Sequence, residues 1–347
     1  MSEDEADVSP PHPRETNAWF GHQAAEQSIL DAYRGGRMPH AWLIGGPHGI
    51  GKATLAYRTA RFVLAHPDPG SPSVQSVQSL ALPADHRIAR LVAAQGHPDL
   101  LVLDRRADDE GKVPTVIPVE RARKLVAFLG STPREAGWRV VIVDSADELN
   151  VQGANTMLKL VEEPPPRALI LIVSHAPGRL LATIRSRCRG LVLRPLPAAD
   201  VGRAVSAALG RDAEEAAVQK AVAASEGSVA RAVALMGGPL LAIRDRVIEL
   251  LDRLPSTDPR GLHALGESLE RADRVVLATF VDAVRDWLSA RLARDLRGGV
   301  LPGRGPARLA QAWQDINTAA LDAEMYNLER KPLVFKMFGS LAEAVRG

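Results

Sequence analysis

Ala41-Trp42-Leu43-Ile44-Gly45-Gly46-Pro47-His48-Gly49-Ile50-Gly51-Lys52-Ala53-Thr54 reads as an apolar strand, a glycine-rich turn and the start of a helix. That order aims backbone N–H groups and a lysine at a polyphosphate, at the positive end of a helix. Gly46, Gly49, Gly51 and Lys52 are therefore candidate phosphate-binding residues, with Ala53 and Thr54 beside them. A hydroxyl at position 53 would ligate Mg²⁺, and here a methyl group stands there. Thr54 points about 100° further round the helix and substitutes poorly.

Outward from this loop, strand and helix signals alternate from Gln23 to about Leu196. Helical spacing covers Gln23–Tyr33, Lys52–Leu64, Val119–Leu129 and Val151–Val161, the last stopped by Pro164-Pro165-Pro166. Apolar strands are read at Ala41–Ile44, Leu100–Leu103, Arg139–Val143, Ala168–Val173 and Leu191–Leu193. Continuous apolar strands between amphipathic helices predict a parallel sheet covered on both faces. His66–Pro83, rich in Pro, Ser and Gln, reads as an insertion or linker. Past Pro197 strand signals stop, and helical segments run from Ala198 to Met236. After a break at Leu254–Pro259, Phe280, Val281, Val284, Trp287 and Leu288 form an apolar stripe of a helical bundle. The expected fold is an α/β P-loop domain with a parallel sheet, a small helical lid and an all-α C-terminal domain.

Composition narrows the classes. The chain has 347 residues, 46% hydrophobic and 24% charged, the mixture of a globular protein of two or three domains. A net charge of +2 gives no global pull toward nucleic acid. One cysteine, Cys188, leaves no disulfide within the chain and no cysteine-rich zinc module, and the nine histidines lack ligand spacing. No resident metal is therefore expected. No apolar run nears the ~20 residues that span a bilayer. Ser2–Thr16 is acidic and proline-rich without a signal-peptide core, and reads as a disordered tail on a cytoplasmic protein.

Val140-Val141-Ile142-Val143-Asp144-Ser145 is the second chemical element. An apolar strand ending in aspartate places a carboxylate beside Mg²⁺ in P-loop proteins; the lesser reading of Asp144 is a helix N-cap. ATP hydrolysis needs a base to orient water, and Ser145 cannot usefully accept a proton at neutral pH. Glu148 would have to reach back nearly a turn. Ala53 and Ser145 thus point to a site unsuited to hydrolysis. Ser174, at the end of the Ala168–Val173 strand, is either a polar γ-phosphate sensor or an ordinary strand-end hydroxyl. Arg121, Arg123, Lys124 and Arg134 would either touch DNA phosphates or form a solvated surface.

Arg185, Arg187 and Arg189 alternate, which alone suggests a solvated strand edge. Their context is more specific. Leu158-Lys159-Leu160-Val161-Glu162-Glu163-Pro164-Pro165 followed by Thr183-Ile184-Arg185-Ser186-Arg187-Cys188 resembles the bacterial clamp-loader ATPases of the AAA+ class. Phe20-Gly21-His22-Gln23, His97-Pro98-Asp99 and Ile117-Pro118-Val119-Glu120 are similar to the same family, and Glu226-Gly227-Ser228 marks its lid. Asn327-Leu328 and the last helix resemble its C-terminal collar more thinly.

The resemblance implies that Arg187, within Ser-Arg-Cys, acts in trans on the ATP of a neighbouring subunit. It also implies a division into a tail (1–17), an AAA+ domain (18–196), a lid (197–254) and a collar (255–347). Non-motor members of this family keep Ser-Arg-Cys beside decayed nucleotide sites, as Ala53 and Ser145 suggest here. Their role would be structural within the loader, with little or no hydrolysis of their own. Gly46, Gly49, Gly51, Lys52, Ala53, Thr54 and Asp144 would hold ATP without turning it over. The four-cysteine zinc module of many relatives has no counterpart in His66–Gly96, so no zinc is expected. The γ-phosphate-sensing lid arginine would fall at Ala230, one step from Arg231. Implied partners are motor subunits of the gamma/tau type, the delta subunit, and, through the complex, the sliding clamp and primed DNA, with no membrane. The rival readings are an ATP-hydrolysing motor subunit of the same complex and, more distantly, an unrelated P-loop kinase or nucleotide hydrolase.

Overall fold

The computed structural model describes residues 11–104, 119–130, 137–149, 151–237, 239–270, 272, 274–297, 308–309, 311–316, 318–319 and 329–346. The chain forms two compact units, one reaching to Ala234 and one beginning at Leu235.

The first unit is built on five strands: β1 (Ala41–Gly45), β2 (Leu100–Leu103), β3 (Arg139–Val143), β4 (Ala168–Ser174) and β5 (Arg189–Val192). Every pairing is parallel, in the order β2-β3-β4-β1-β5. β1, β3 and β4 are buried along their whole lengths, which is why they read as unbroken apolar runs. The helices on the faces are α1 (Gln23–Arg34), α2 (Lys52–Ala65), α3 (Pro72–Ser76), α4 (Arg87–Ala93), α5 (Val119–Gly130), α6 (Val151–Glu162) and the short α7 (Ala182–Arg185). One core joins Ile29, Tyr33, Trp42, Leu55 and Phe62 to Val140, Leu169 and Leu171. Another, on the opposite face, joins Leu43, Val141, Ile170 and Ile172 to Leu125, Met157 and Ile184. The expected parallel sheet covered on both faces is present.

Two readings of the first unit need correction. His66–Pro83 is a packed segment: it contains α3, and Val74 and Leu80 are fully buried. A buried ion pair fixes it, because Glu26 Oε1 accepts from Arg58 Nε at 2.6 Å and from the Leu80 N–H at 2.8 Å. The tail is shorter than expected, since residues 11–17 are held against α2. Arg61 donates to the Arg14 carbonyl at 3.0 Å and the Thr16 carbonyl at 2.7 Å, and Arg58 to the Asn17 carbonyl at 3.0 Å. Residues 1–10 lie outside the described residues.

Three helices follow the sheet in this unit: α8 (Ala198–Leu209), α9 (Ala216–Ala224) and α10 (Val229–Met236), the last running two residues past its end. Gly227, at φ 81°, turns the chain into α10 and accepts the Leu196 N–H at 3.0 Å; a Cβ there would lie 2.6 Å from Leu196 N.

The second unit contains α11 (Pro239–Asp252), α12 (Pro259–Glu270), α13 (Arg274–Arg297) and a final helix, Arg330–Arg346. α11 packs on α13 and α12 on the final helix. α11, which the sequence division assigned to 197–254, thus belongs with the C-terminal helices. Phe280, Val281, Val284 and Leu288 are buried as their spacing requires. Trp287 instead donates from Nε1 to Asp252 at 2.8 Å, and Trp313 is 38% exposed. The polar stretch 298–306 and Asn327-Leu328 lie outside the described residues. No helix among the described residues is long and apolar enough to cross a membrane.

Candidate functional site

β1 delivers the chain into the glycine-rich turn at the C-terminal edge of the sheet. Gly46, Gly49 and Gly51 all have positive φ, at 147°, 73° and 97°. At Gly49 the need for glycine is also steric, because a Cβ would sit 2.2 Å from Ser228 Oγ. α10 therefore docks on the loop, and the Ala230 N–H donates to the Gly49 carbonyl at 3.2 Å. His22 braces the loop from α1's N-terminal end, with its ring Nε2 3.1 Å from the Ile50 carbonyl.

Lys52 opens α2 and is buried, and its ammonium donates to the Pro47 carbonyl. Burial lowers its pKa to about 8, while the charges of Asp144 and Asp147 act to raise it. Ala53 presents a methyl where a metal-binding hydroxyl would stand, and Thr54 lines the cavity next to it.

The ends of β3 and β4 face the loop. Burial pushes the Asp144 carboxyl up, as does the Asp104 charge, against the Ser145 hydrogen bond and Lys52. Ser145 Oγ lies 3.3 Å from Asp144 Oδ1 and 2.8 Å from His175 Nε2. Asp147 fixes the end of β4: its carboxylate accepts from Ser174 Oγ at 2.7 Å and from the His175 and Ala176 N–H groups. His48, at the tip of the loop, stacks on His175 with ring centroids 4.1 Å apart and planes at 30°. The Glu148 side chain lies outside the described residues.

These groups line a cavity of ≈ 720 Å³ within the first unit. That volume suits a nucleotide-sized ligand. Residues 11–13 and 15–20, with Leu196, Ala204 and Ala207, supply its less polar wall; His48–Thr54, Asp104, Asp144, Ser145 and His175 supply the polar end. Of the predicted cradle residues, Gly49, Gly51, Lys52, Ala53, Thr54 and Asp144 meet here. Gly46 stands behind the loop, where a Cβ would lie 2.4 Å from the Leu193 carbonyl oxygen. The glycines and Lys52 fit a polyphosphate; Ala53 and Ser145 do not fit a hydrolytic magnesium site. Among the described residues no group of three or more His, Cys, Asp or Glu side chains is placed to hold a metal ion.

Arg187 is not part of this lining. It follows α7 and is half-exposed, with Nη2 3.1 Å from Glu162 Oε1 and Nη1 donating to the Thr183 carbonyl at 3.0 Å. Cys188 beside it is a free thiol whose pKa burial raises to about 11. Ser174 is fully buried and committed to Asp147, and Arg231 pairs with Glu226 at 3.5 Å. Lys124 is exposed on α5; Arg134 and the side chains of Arg121 and Arg123 lie outside the described residues.

Comparison with known proteins places the chain in a family. The family model described as DNA polymerase III, delta subunit matches residues 21–197, the stretch that carries the sheet, the loop and Ser-Arg-Cys. The chain belongs to this family. Within it, the chain is similar to proteins named DNA polymerase III subunit delta prime. The one from Pseudomonas aeruginosa is 34% identical over 66% of this chain and 66% of its own length. The one from Escherichia coli is 33% identical over 49% of this chain and 47% of its own. The matches thus span about two thirds and about half of these relatives. A Mycobacterium tuberculosis protein named DNA polymerase III subunit gamma/tau is 29% identical over 83% of this chain and 46% of its own length.

For a delta-family chain, the sequence reading passed over several parts of the site. His48 and His175 come together only through the sheet, and neither has motif spacing. The wall at residues 11–20 depends on Arg58 and Arg61 gripping main-chain carbonyls, which leave no side-chain signal. Glu162 was inside a quoted motif, yet its partner is 25 positions on.

Proposed function

We propose that this chain is the delta prime, or stator, subunit of the DNA polymerase III clamp loader, helping to load the sliding clamp onto primed DNA. One observation carries the reading. Arg187 is presented at the surface, held by Glu162 and Thr183, while the chain's own cavity lacks both a metal-binding hydroxyl at 53 and a carboxylate at 145. Arg187 would complete the ATP site of a neighbouring gamma/tau motor subunit. An arginine supplied in trans is worth roughly 10³ or more in phosphoryl-transfer rate.

The other assignments follow from this role. The cavity would hold ATP without turnover through Gly46, Gly49, Gly51, Lys52, Thr54 and Asp144, and no zinc is called for. The three-part division into an AAA+ domain, a lid and a C-terminal collar would let the last helices hold the chain in a pentameric ring beside the delta subunit. Contact with clamp and DNA would come through the complex, in the cytoplasm, and polymerisation would belong to other subunits.

The rival is a hydrolysing motor subunit, which the long gamma/tau match favours. Turnover by the chain alone separates the two. The stator reading expects no ATPase above background and no change in Lys52→Ala. Turnover of about one per minute or faster, abolished in Lys52→Ala, would favour the motor.

A further inference from the structure

The phosphate end of the cavity carries a feature that the clamp-loader role does not use. The His48 and His175 rings reach toward each other from opposite sides, one from the loop tip and one from the end of β4, and stack at 4.1 Å. His175 is fixed rather than swinging. Asp147 holds its backbone N–H and that of Ala176, and Ser145 Oγ lies 2.8 Å from its Nε2. The loop that carries His48 is held at its neighbour, where the Ala230 N–H donates to the Gly49 carbonyl at 3.2 Å. The two rings thus meet between the loop tip and the strand ends, and both line the cavity.

We propose that this stack ends the phosphate cradle early, so that the cavity takes a nucleoside diphosphate in preference to a triphosphate. The proposal rests on reading the cavity as a nucleotide site, and it names the ligand class for that site. Chemistry at the same end agrees with it. A third phosphate would have to displace an imidazole and approach Asp104 and Asp144, both of which line the cavity. In a P-loop site a bound cation offsets such repulsion. Here the hydroxyl that would help hold the cation is replaced by Ala53. Lys52 remains to meet the phosphates nearer the loop, where its contact with the Pro47 carbonyl would be exchanged. A cradle with its lysine and glycines intact and its outer end closed is suited to two phosphates.

The test is calorimetric titration of ADP and of ATP into the whole 347-residue chain, with Mg²⁺ and with EDTA. The proposal expects ADP to bind about tenfold or more tightly than ATP, a difference well resolved by titration. His48→Ala and His175→Asn should each bring the ATP affinity to within about threefold of the ADP affinity measured on the same variant. Should either variant melt early, the wild-type ratio alone decides. ATP binding as tightly as ADP, with both lost in Lys52→Ala, overturns the stack's role and leaves the nucleotide site standing. Failure of both nucleotides to bind overturns the nucleotide reading and this proposal together, and leaves the role of Arg187 untouched.

Discussion

Glu162, the last residue of α6, holds the Arg187 guanidinium through a 3.1 Å ion pair, while the Thr183 carbonyl accepts from the other terminal nitrogen at 3.0 Å. Nη1 also reaches Ser186 Oγ at 3.4 Å; on the proposed role, Nε and the second N–H of Nη2 would meet the neighbour's phosphate. Both side chains are more than a third exposed, 41% and 37%, so the pair is worth little to folding. Its value lies in orientation.

Glu162 is accordingly expected to act as a positioning residue. In a reconstituted loader, Glu162→Ala should lower DNA-stimulated ATPase by about three- to tenfold, the scale of one oriented hydrogen bond. Assembly should be unchanged. Adding Arg187→Ala should bring the double variant to the level of Arg187→Ala alone, because the glutamate acts only through the arginine. Additive losses would show that Glu162 works by another route.

Gly49 meets the start of α10 at Ser228 and Ala230. Gly49→Ala places a side chain at φ 73° and drives it against Ser228 Oγ. A loss of about 1–3 kcal/mol in urea unfolding is expected. Ser228→Gly, which removes the nearest atom, should restore part of it. A neutral Gly49→Ala would mean that α10 does not grip the loop.

The buried pair Glu26–Arg58, with both side chains 9% exposed, ties α1, α2 and the His66–Pro83 segment together. Removing one partner strands the other charge in the core. Glu26→Ala should therefore cost about 3 kcal/mol and speed limited proteolysis within residues 66–83. Unchanged proteolysis there would show that the segment is held by Val74 and Leu80 alone.

Cys188 gives a pH-dependent prediction. Its pKa rises from 9.0 to about 11 on folding because burial disfavours the thiolate. At pH 8 the native thiol should react with a maleimide about a hundredfold more slowly than the urea-unfolded chain. Above pH 9 the unfolded state loses its proton first, so the native state binds more protons. Stability contributed by this group is complete below pH 9 and lost as the pH rises toward 11. Cys188→Ala should flatten that part of the profile.

The sheet was legible because β1, β3 and β4 are buried on both faces and must be apolar throughout. The glycine-rich turn was legible because Gly46, Gly49, Gly51 and Lys52 fall within seven consecutive positions. α3 and α4 were not, being 5 and 7 residues long, too short to show a full amphipathic pattern. The boundary after α10 was missed because the clear sequence break, Leu254–Pro259, follows α11, and only packing on α13 assigns that helix. His48, His175 and Ser145 meet through β3 and β4, which lie 30 positions apart at the Ser145–His175 contact. No local pattern could announce that meeting.

The central claim is that this chain works through a neighbour's ATP site. The most direct measurement is DNA-stimulated ATPase of the reconstituted loader, wild type against Arg187→Ala, with assembly followed by gel filtration. The account predicts normal assembly with hydrolysis reduced by roughly a thousandfold or more at the site that Arg187 would complete. Full assembly with undiminished hydrolysis and clamp loading would contradict it.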